Sequence, residues 1–271
     1  MIDRYHNDYS ALDRPEVLMR LFHPRPDYGS IEGPANAMDV VIPVEEDMVV
    51  GGRFHTQEKS APNVLFFHGN GEIVADYDEL GPLYNRMGMN FLAVDYRGYG
   101  RSTGMPTAAT MMTDCHAIFE FTKTWLEGNG YTGTFIIMGR SLGSASALEL
   151  ASHHKDRMDG LIVESGFAHT GPLLALLGVN TGAMGFREEK GFRNLEKIRA
   201  WDKPTLVIHA EFDHIIPFSD GQALYDACPS SDKTLLKIPG ANHNDIFMRG
   251  LDAYMKAVKI LCKKTGDISA E

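Results

Sequence analysis

Cysteine is scarce in this sequence, with three in 271 residues: Cys115, Cys228 and Cys262. The count is odd and no two are close, which argues against a disulfide framework or a zinc knuckle and for reduced thiols. Basic residues are also in deficit. There are 26 Lys and Arg against 36 Asp and Glu, a formal net charge of −10. Nucleic acid is bound through Lys and Arg that displace counterions, so this balance predicts no nucleic-acid partner. It equally disfavours broad adhesion to anionic membranes. No run approaches eighteen apolar residues, so no stable membrane insertion is expected. Met1 to Tyr9 is polar and lacks an apolar core of the secretory type, which makes a cytoplasmic location the expectation. His-Glu-x-x-His, paired-cysteine and P-loop motifs are missing, so no metal and no cofactor are implied. Gly98-Tyr99-Gly100 matches only a fragment of a dinucleotide fingerprint. His153 and His154 are adjacent, project differently from a helix, and are read as solvated.

What is present is ordinary globular composition, 44% hydrophobic and 23% charged, without repeats or low-complexity tracts. From residue 60 onward, short apolar runs alternate with longer amphipathic stretches. The runs are Asn63–Phe67, Asn90–Tyr96, Gly133–Met138, Gly160–Glu164, Pro204–Ala210 and Lys233–Ile238. Helices are expected at Ala108–Glu127, Leu142–His153, Ser219–Ala227 and Asp245–Cys262, with Ser219-Asp220 as capping residues. Strands separated by helices require crossover connections, hence an α/β fold with a mostly parallel central sheet and helices on both faces. Met38–Val44 and Met48–His55 read as an antiparallel pair at its edge. The expected organisation is one domain over 1–271, with an N-terminal extension at 1–37 that holds a short helix near Pro15–Phe22. Residues 167–200 are too long for a simple connection. Their apolar stretch Pro172–Val179 and the helix candidate Asn194–Arg199 are read as a small helical cap.

Gly139-Arg140-Ser141-Leu142-Gly143 matches G-x-S-x-G between a strand and a helix, the context of a nucleophile elbow. A sharp strand-to-helix turn leaves room only for small residues two positions either side of the serine. It also sets Ser141 at a helix N-terminus, where developing negative charge is favoured. Serine needs a base, and the base an acid to hold it. In the order expected for such an elbow, Asp213 follows the fifth run and His243 follows the Pro239-Gly240 turn after the sixth. Glu211 is a rival acid; His209 and His214 are rival bases, His209 reading better as a core residue. Two backbone N–H groups could face a tetrahedral oxyanion: that of Leu142, and that of Asn70 in His68-Gly69-Asn70-Gly71-Glu72. His68 and Glu72 are read as supports of that loop.

These residues together resemble the α/β-hydrolase superfamily over roughly residues 38–262. Phe67-His68-Gly69-Asn70-Gly71-Glu72 is similar to the oxyanion loop of monoacylglycerol-lipase-like members. Asp95-Tyr96-Arg97-Gly98-Tyr99-Gly100-Arg101-Ser102 resembles a structural segment of that superfamily. Arg140 before Ser141 resembles the Bem46-like branch, which includes the α/β-hydrolase-domain proteins 13 and 17. The resemblance implies an α/β-hydrolase fold, with Asp213 and His243 in the acid and base positions. The expected activity is serine-dependent hydrolysis of a carboxylic ester or thioester on a small-molecule acyl substrate. Amide or peptide cleavage, acyl transfer, and a non-catalytic binding protein remain alternatives.

Overall fold

Five of the expected runs are buried along their whole length. They form β3 (Asn63–Phe67), β4 (Asn90–Val94), β5 (Phe135–Arg140), β6 (Gly160–Glu164) and β7 (Thr205–Ala210). A strand can be apolar on both faces only if helices cover both, which is the signature of a parallel sheet. The computed structural model describes residues 7–29, 33–34 and 36–268. Within them, β1 (Ala37–Glu45), β2 (Met48–His55) and β8 (Lys233–Ile238) complete an eight-stranded sheet of order β1-β2-β4-β3-β5-β6-β7-β8. β1 pairs antiparallel with β2, and β2 antiparallel with β4; every later pair is parallel. The fold class read from the sequence, α/β-hydrolase with a mostly parallel sheet, is the one observed. The open edges are blunted by Pro43 with a register irregularity on β1 and by Lys233 and Lys237 on β8, devices that discourage edge-to-edge pairing.

Helices α1 (Pro15–Leu21), α2 (Gly81–Arg86), α3 (Ala108–Gly128), α4 (Gly143–His153), α5 (Thr170–Leu176), α6 (Asn194–Ile198), α7 (Phe218–Ala227) and α8 (Ile246–Ile268, irregular at Gly250) surround the sheet. The alternate sides of the strands feed two cores. Leu65, Phe67, Ile137, Val163 and Val207 pack with α3, α4 and α7, and Val64, Phe66, Ile136, Met138 and Ile208 with α2 and α8. Each such side chain contributes roughly 1.5–3 kcal/mol on burial.

Several local expectations are corrected. α2 and the 3₁₀ turn Val74–Tyr77 lie outside the helices expected from the sequence. Ser219 and Asp220 do not cap α7, whose N-cap is Pro217; Asp220 instead accepts the Ala168 N–H at 2.7 Å. His154 is not solvated: it is buried and stacks on Phe119 with ring centroids 4.3 Å apart. In the 167–200 segment, Glu188 holds the Thr170 and Gly171 N–H groups. Ile198 of α6 lies in the core, whereas α5 turns Leu173 toward the C-terminal ends of the strands.

The chain passes from β3 to β4 on one side, then returns to β5 on the other. Strand order therefore reverses at β3, and ligands of open α/β sheets bind at such a point, outside the carboxyl ends of the strands. Phe67 and Gly139 are register partners there.

Candidate active site

The tightest turn in the site follows β5. Ser141 has φ 51°, a left-handed conformation that is uncommon for a non-glycine residue. Its N–H donates to the Glu164 carbonyl at 2.8 Å, which fixes the turn against β6. Strand and helix approach so closely that a Cβ on Gly139 would come 2.2 Å from the Gly143 carbonyl oxygen. One on Gly143 would lie 2.1 Å from that of Phe67. Both positions must therefore be glycine, and the consequence is a serine hydroxyl thrust off the strand end.

Asp213 and His243 reach it from the loops after β7 and β8. His243 Nε2 lies 3.0 Å from Ser141 Oγ, and His243 Nδ1 2.7 Å from Asp213 Oδ2. Asp213 Oδ1 accepts the N–H groups of Ile215 and Ile216 at 3.0 and 2.8 Å. Burial pushes the Asp213 carboxyl up, but the hydrogen bond and charge of His243 and the two N–H groups outweigh it and hold it below the ordinary carboxylate value. An ionised Asp213 needs a proton on Nδ1 of His243, leaving Nε2 as the acceptor toward Ser141. The rivals make other bonds, although His209 Nε2 also comes within 3.6 Å of Asp213 Oδ2. Glu211 accepts the Gly240 N–H and pairs with Lys237. His209 is buried with Nε2 on the Ile216 carbonyl, and His214 is exposed.

The loop after β3 closes the other side. Its backbone is held by Glu72, whose Oε2 accepts the Gly69 N–H and the Tyr77 hydroxyl, both at 2.6 Å. His68 bonds Asp95 at 3.2 Å, and Asp95 also accepts the Val74 N–H. The Asn70 side chain ties the N-terminal segment down: Oδ1 accepts the His23 N–H at 2.8 Å and the Tyr99 hydroxyl at 2.7 Å. Among the described residues, the backbone N–H groups of Asn70 and Leu142 have no acceptor. Both residues line the cavity that Ser141 opens into.

That cavity holds about 160 Å³ and is walled by Leu21 of α1, Leu173 of α5, Leu177 and Ile215. Leu173 and Ile215 also wall an adjoining space of about 120 Å³ with Phe167, Pro172 and Leu176. The sequence pointed to Pro172–Val179 but not to Leu21 or Ile215, because only tertiary folding brings those segments together. A larger cleft of about 450 Å³ runs past Pro62, Thr134 and Lys259. It lies at the amino ends of β3 and β5, away from the serine. Among the described residues, His116, Glu149 and His153 could bring three metal-ligating atoms together. Glu149 already pairs with Lys197 at 2.6 Å, and the group lies about 12 Å along α4 from the elbow.

An elbow serine bonded to an imidazole, on an eight-stranded sheet of this order, defines an α/β-hydrolase. Residues 58–183 and 190–247 match the family model described as serine aminopeptidase, S33, and the chain belongs to that α/β-hydrolase family. The particular relatives are of the Bem46 and domain-17 type. The α/β hydrolase domain-containing protein aho-3 of Caenorhabditis elegans is 32% identical over 200 residues, 72% of this chain and 56% of that protein. Protein bem46 of Schizosaccharomyces pombe is 27% identical over 74% of this chain and 67% of its own length. The chain thus spans little more than half of aho-3. Among solved structures, the Pyrococcus furiosus esterase Pf2001 superposes with a TM-score of 0.72 at 18% identity, over 89% of this chain and 98% of that one. A soluble variant of Saccharomyces cerevisiae monoglyceride lipase superposes at 0.67 and 19% identity, over 89% and 98%. At such identities the likeness concerns the fold.

Proposed function

We propose that this chain hydrolyses carboxylic esters or thioesters through an acyl-Ser141 intermediate. The observation that carries the reading is the continuous line Asp213–His243–Ser141, at 2.7 and 3.0 Å. It ends in a largely apolar cavity beside the Asn70 and Leu142 N–H groups, which have no acceptor among the described residues. As Ser141 Oγ attacks the acyl carbon, His243 Nε2 takes its proton, and the charge that develops on the carbonyl oxygen falls to Leu142 and Asn70 N–H. Collapse expels the alcohol or thiol, which leaves with the proton from His243. Water then attacks the acyl carbon with His243 again as base, releasing the acid and restoring Ser141. Asp213 keeps the imidazole in the required tautomer and stabilises the imidazolium.

The cavity dimensions support a modest acyl group, since about 150 Å³ of apolar space accommodates benzene. The structural neighbours include an esterase and a monoglyceride lipase, which supports the same reading. The test is a panel of p-nitrophenyl esters of graded chain length, matching thioesters, and aminoacyl p-nitroanilides. Ester or thioester turnover that falls by on the order of 10⁴-fold or more in Ser141→Ala supports the reading. Equal rates in both proteins overturn it, and turnover confined to the anilides redirects it to amide cleavage.

A further inference from the structure

The residue before the serine is an arginine that does not line the cavity Ser141 opens into. Arg140 is buried, and its guanidinium is engaged entirely by three neighbours. Nε lies 2.9 Å from Glu72 Oε1, Nη1 2.9 Å from Glu164 Oε1, and Nη2 3.1 Å from the His243 carbonyl oxygen. Glu72 and His243 belong to the loops after β3 and β8, and Glu164 is the last residue of β6. Glu72 fixes the Gly69 N–H, and a Cβ on Gly69 would come 2.8 Å from the Glu72 carboxylate, so the loop is moulded around that oxygen. Glu164 is gripped a second time by the Tyr254 hydroxyl at 2.7 Å, and its own carbonyl receives the Ser141 N–H. The third contact grasps the backbone of the residue that carries the imidazole.

We propose that Arg140 is a positioning residue: one guanidinium sets the loop bearing the Asn70 N–H and the loop bearing His243 relative to Ser141. The inference rests on the hydrolytic reading of the site and deepens it. A planar fork spreads its donors over three nitrogens at fixed angles and so holds three separated partners in one plane, whereas an ammonium offers all its donors from a single atom. Attack requires the oxyanion donor and the base on opposite sides of the same hydroxyl, and displacing either by about 1 Å can cost on the order of 10²-fold. Arg140 is bonded to the Ser141 backbone, so each loop is referenced directly to the nucleophile rather than through the sheet. The carboxylate of Glu72 is equally committed. It accepts three hydrogen bonds from donors on both sides, which a Gln cannot do with one oxygen.

The experiment compares wild type with Arg140→Lys and Glu72→Gln by two readouts. One is ester kinetics, with kcat and KM resolved; the other is amide hydrogen exchange. Arg140→Lys is expected to lower kcat about 100-fold with KM within about threefold, and to speed exchange in both loops, 69–72 and 242–244, while α4 stays protected. Glu72→Gln is expected to lower kcat and loosen 69–72 alone. If the Arg140→Lys variant does not fold, Glu72→Gln decides: a tenfold or greater fall in kcat with exchange confined to 69–72 supports the brace. A kcat within tenfold of wild type, or unchanged exchange in the loops, overturns it. Should Ser141→Ala remain as active as wild type, the hydrolytic reading falls, and the exchange data still decide whether Arg140 holds the two loops.

Discussion

Replacing Asp213 by Asn tests the relay at its least obvious joint, because the two residues have nearly the same shape. Asp213 Oδ1 already receives two backbone N–H groups, from Ile215 and Ile216, and Oδ2 faces His243 Nδ1 at 2.7 Å. An Asn carries one acceptor oxygen and one donor NH₂. Its oxygen is claimed by the two backbone donors, so its NH₂ must face the imidazole. Nδ1 then becomes an acceptor, the proton moves to Nε2, and Nε2 meets the Ser141 hydroxyl as a donor instead of a base. The expected loss in kcat is about 10⁴-fold, or ~5 kcal/mol of transition-state stabilisation, the size seen when a triad aspartate elsewhere is made asparagine. Stability should change little, because the backbone bonds of the 213–216 turn survive. The assay is p-nitrophenyl ester hydrolysis from pH 6 to 10 beside a thermal melt of the same samples. A kcat within tenfold of wild type in a folded Asn variant would refute the tautomer argument.

Two further outcomes follow from the cavity and from the buried charges. Leu173 walls both apolar spaces, so Leu173→Trp should depress kcat/KM for longer acyl esters at least tenfold relative to acetyl esters; an unchanged ratio across the ester series would contradict the assignment of that wall to the acyl chain. Burial pushes Glu149 up, but His116, Lys197 and His153 overcome it and hold the carboxyl at about 2, below its ordinary 4.5. A depressed carboxylate contributes stability that is complete above the unfolded value and is lost as pH falls toward the folded one. Denaturant midpoints should therefore decline between about pH 4.5 and 2, with on the order of 3 kcal/mol at stake. Glu149→Gln should flatten that decline, and an equally steep one would show that other groups set it.

The sheet could be read from the chain because β3 to β7 are buried on both faces, leaving uninterrupted apolar runs closed by turn residues. The elbow could be read because its sterics demand glycine at 139 and 143, so chemistry and backbone geometry both mark the same five residues. α2 is not legible because it is six residues long and opens with Gly81-Pro82, letters that read as a turn. The pocket walls escaped for another reason. Leu21, Leu173 and Ile215 are ordinary apolar residues in separate segments, and nothing local distinguishes a leucine that lines a cavity from one that fills a core. Arg140 was visible as a letter but not as a hub, since Glu72, Glu164 and His243 are scattered along the chain and meet only at the strand ends. The same holds for Asn70. The glycine-rich loop marks its backbone, whereas nothing local shows that its side chain anchors His23, 47 residues away.

The most direct measurement is to quench a short-chain acyl ester reaction in acid, digest the protein, and locate the acyl mass by peptide sequencing. Acyl label on Ser141, formed in wild type and abolished in Ser141→Ala, is the predicted result. Turnover with the label on a different side chain, or turnover that leaves Ser141 unmodified when deacylation is blocked by acid, would contradict the account.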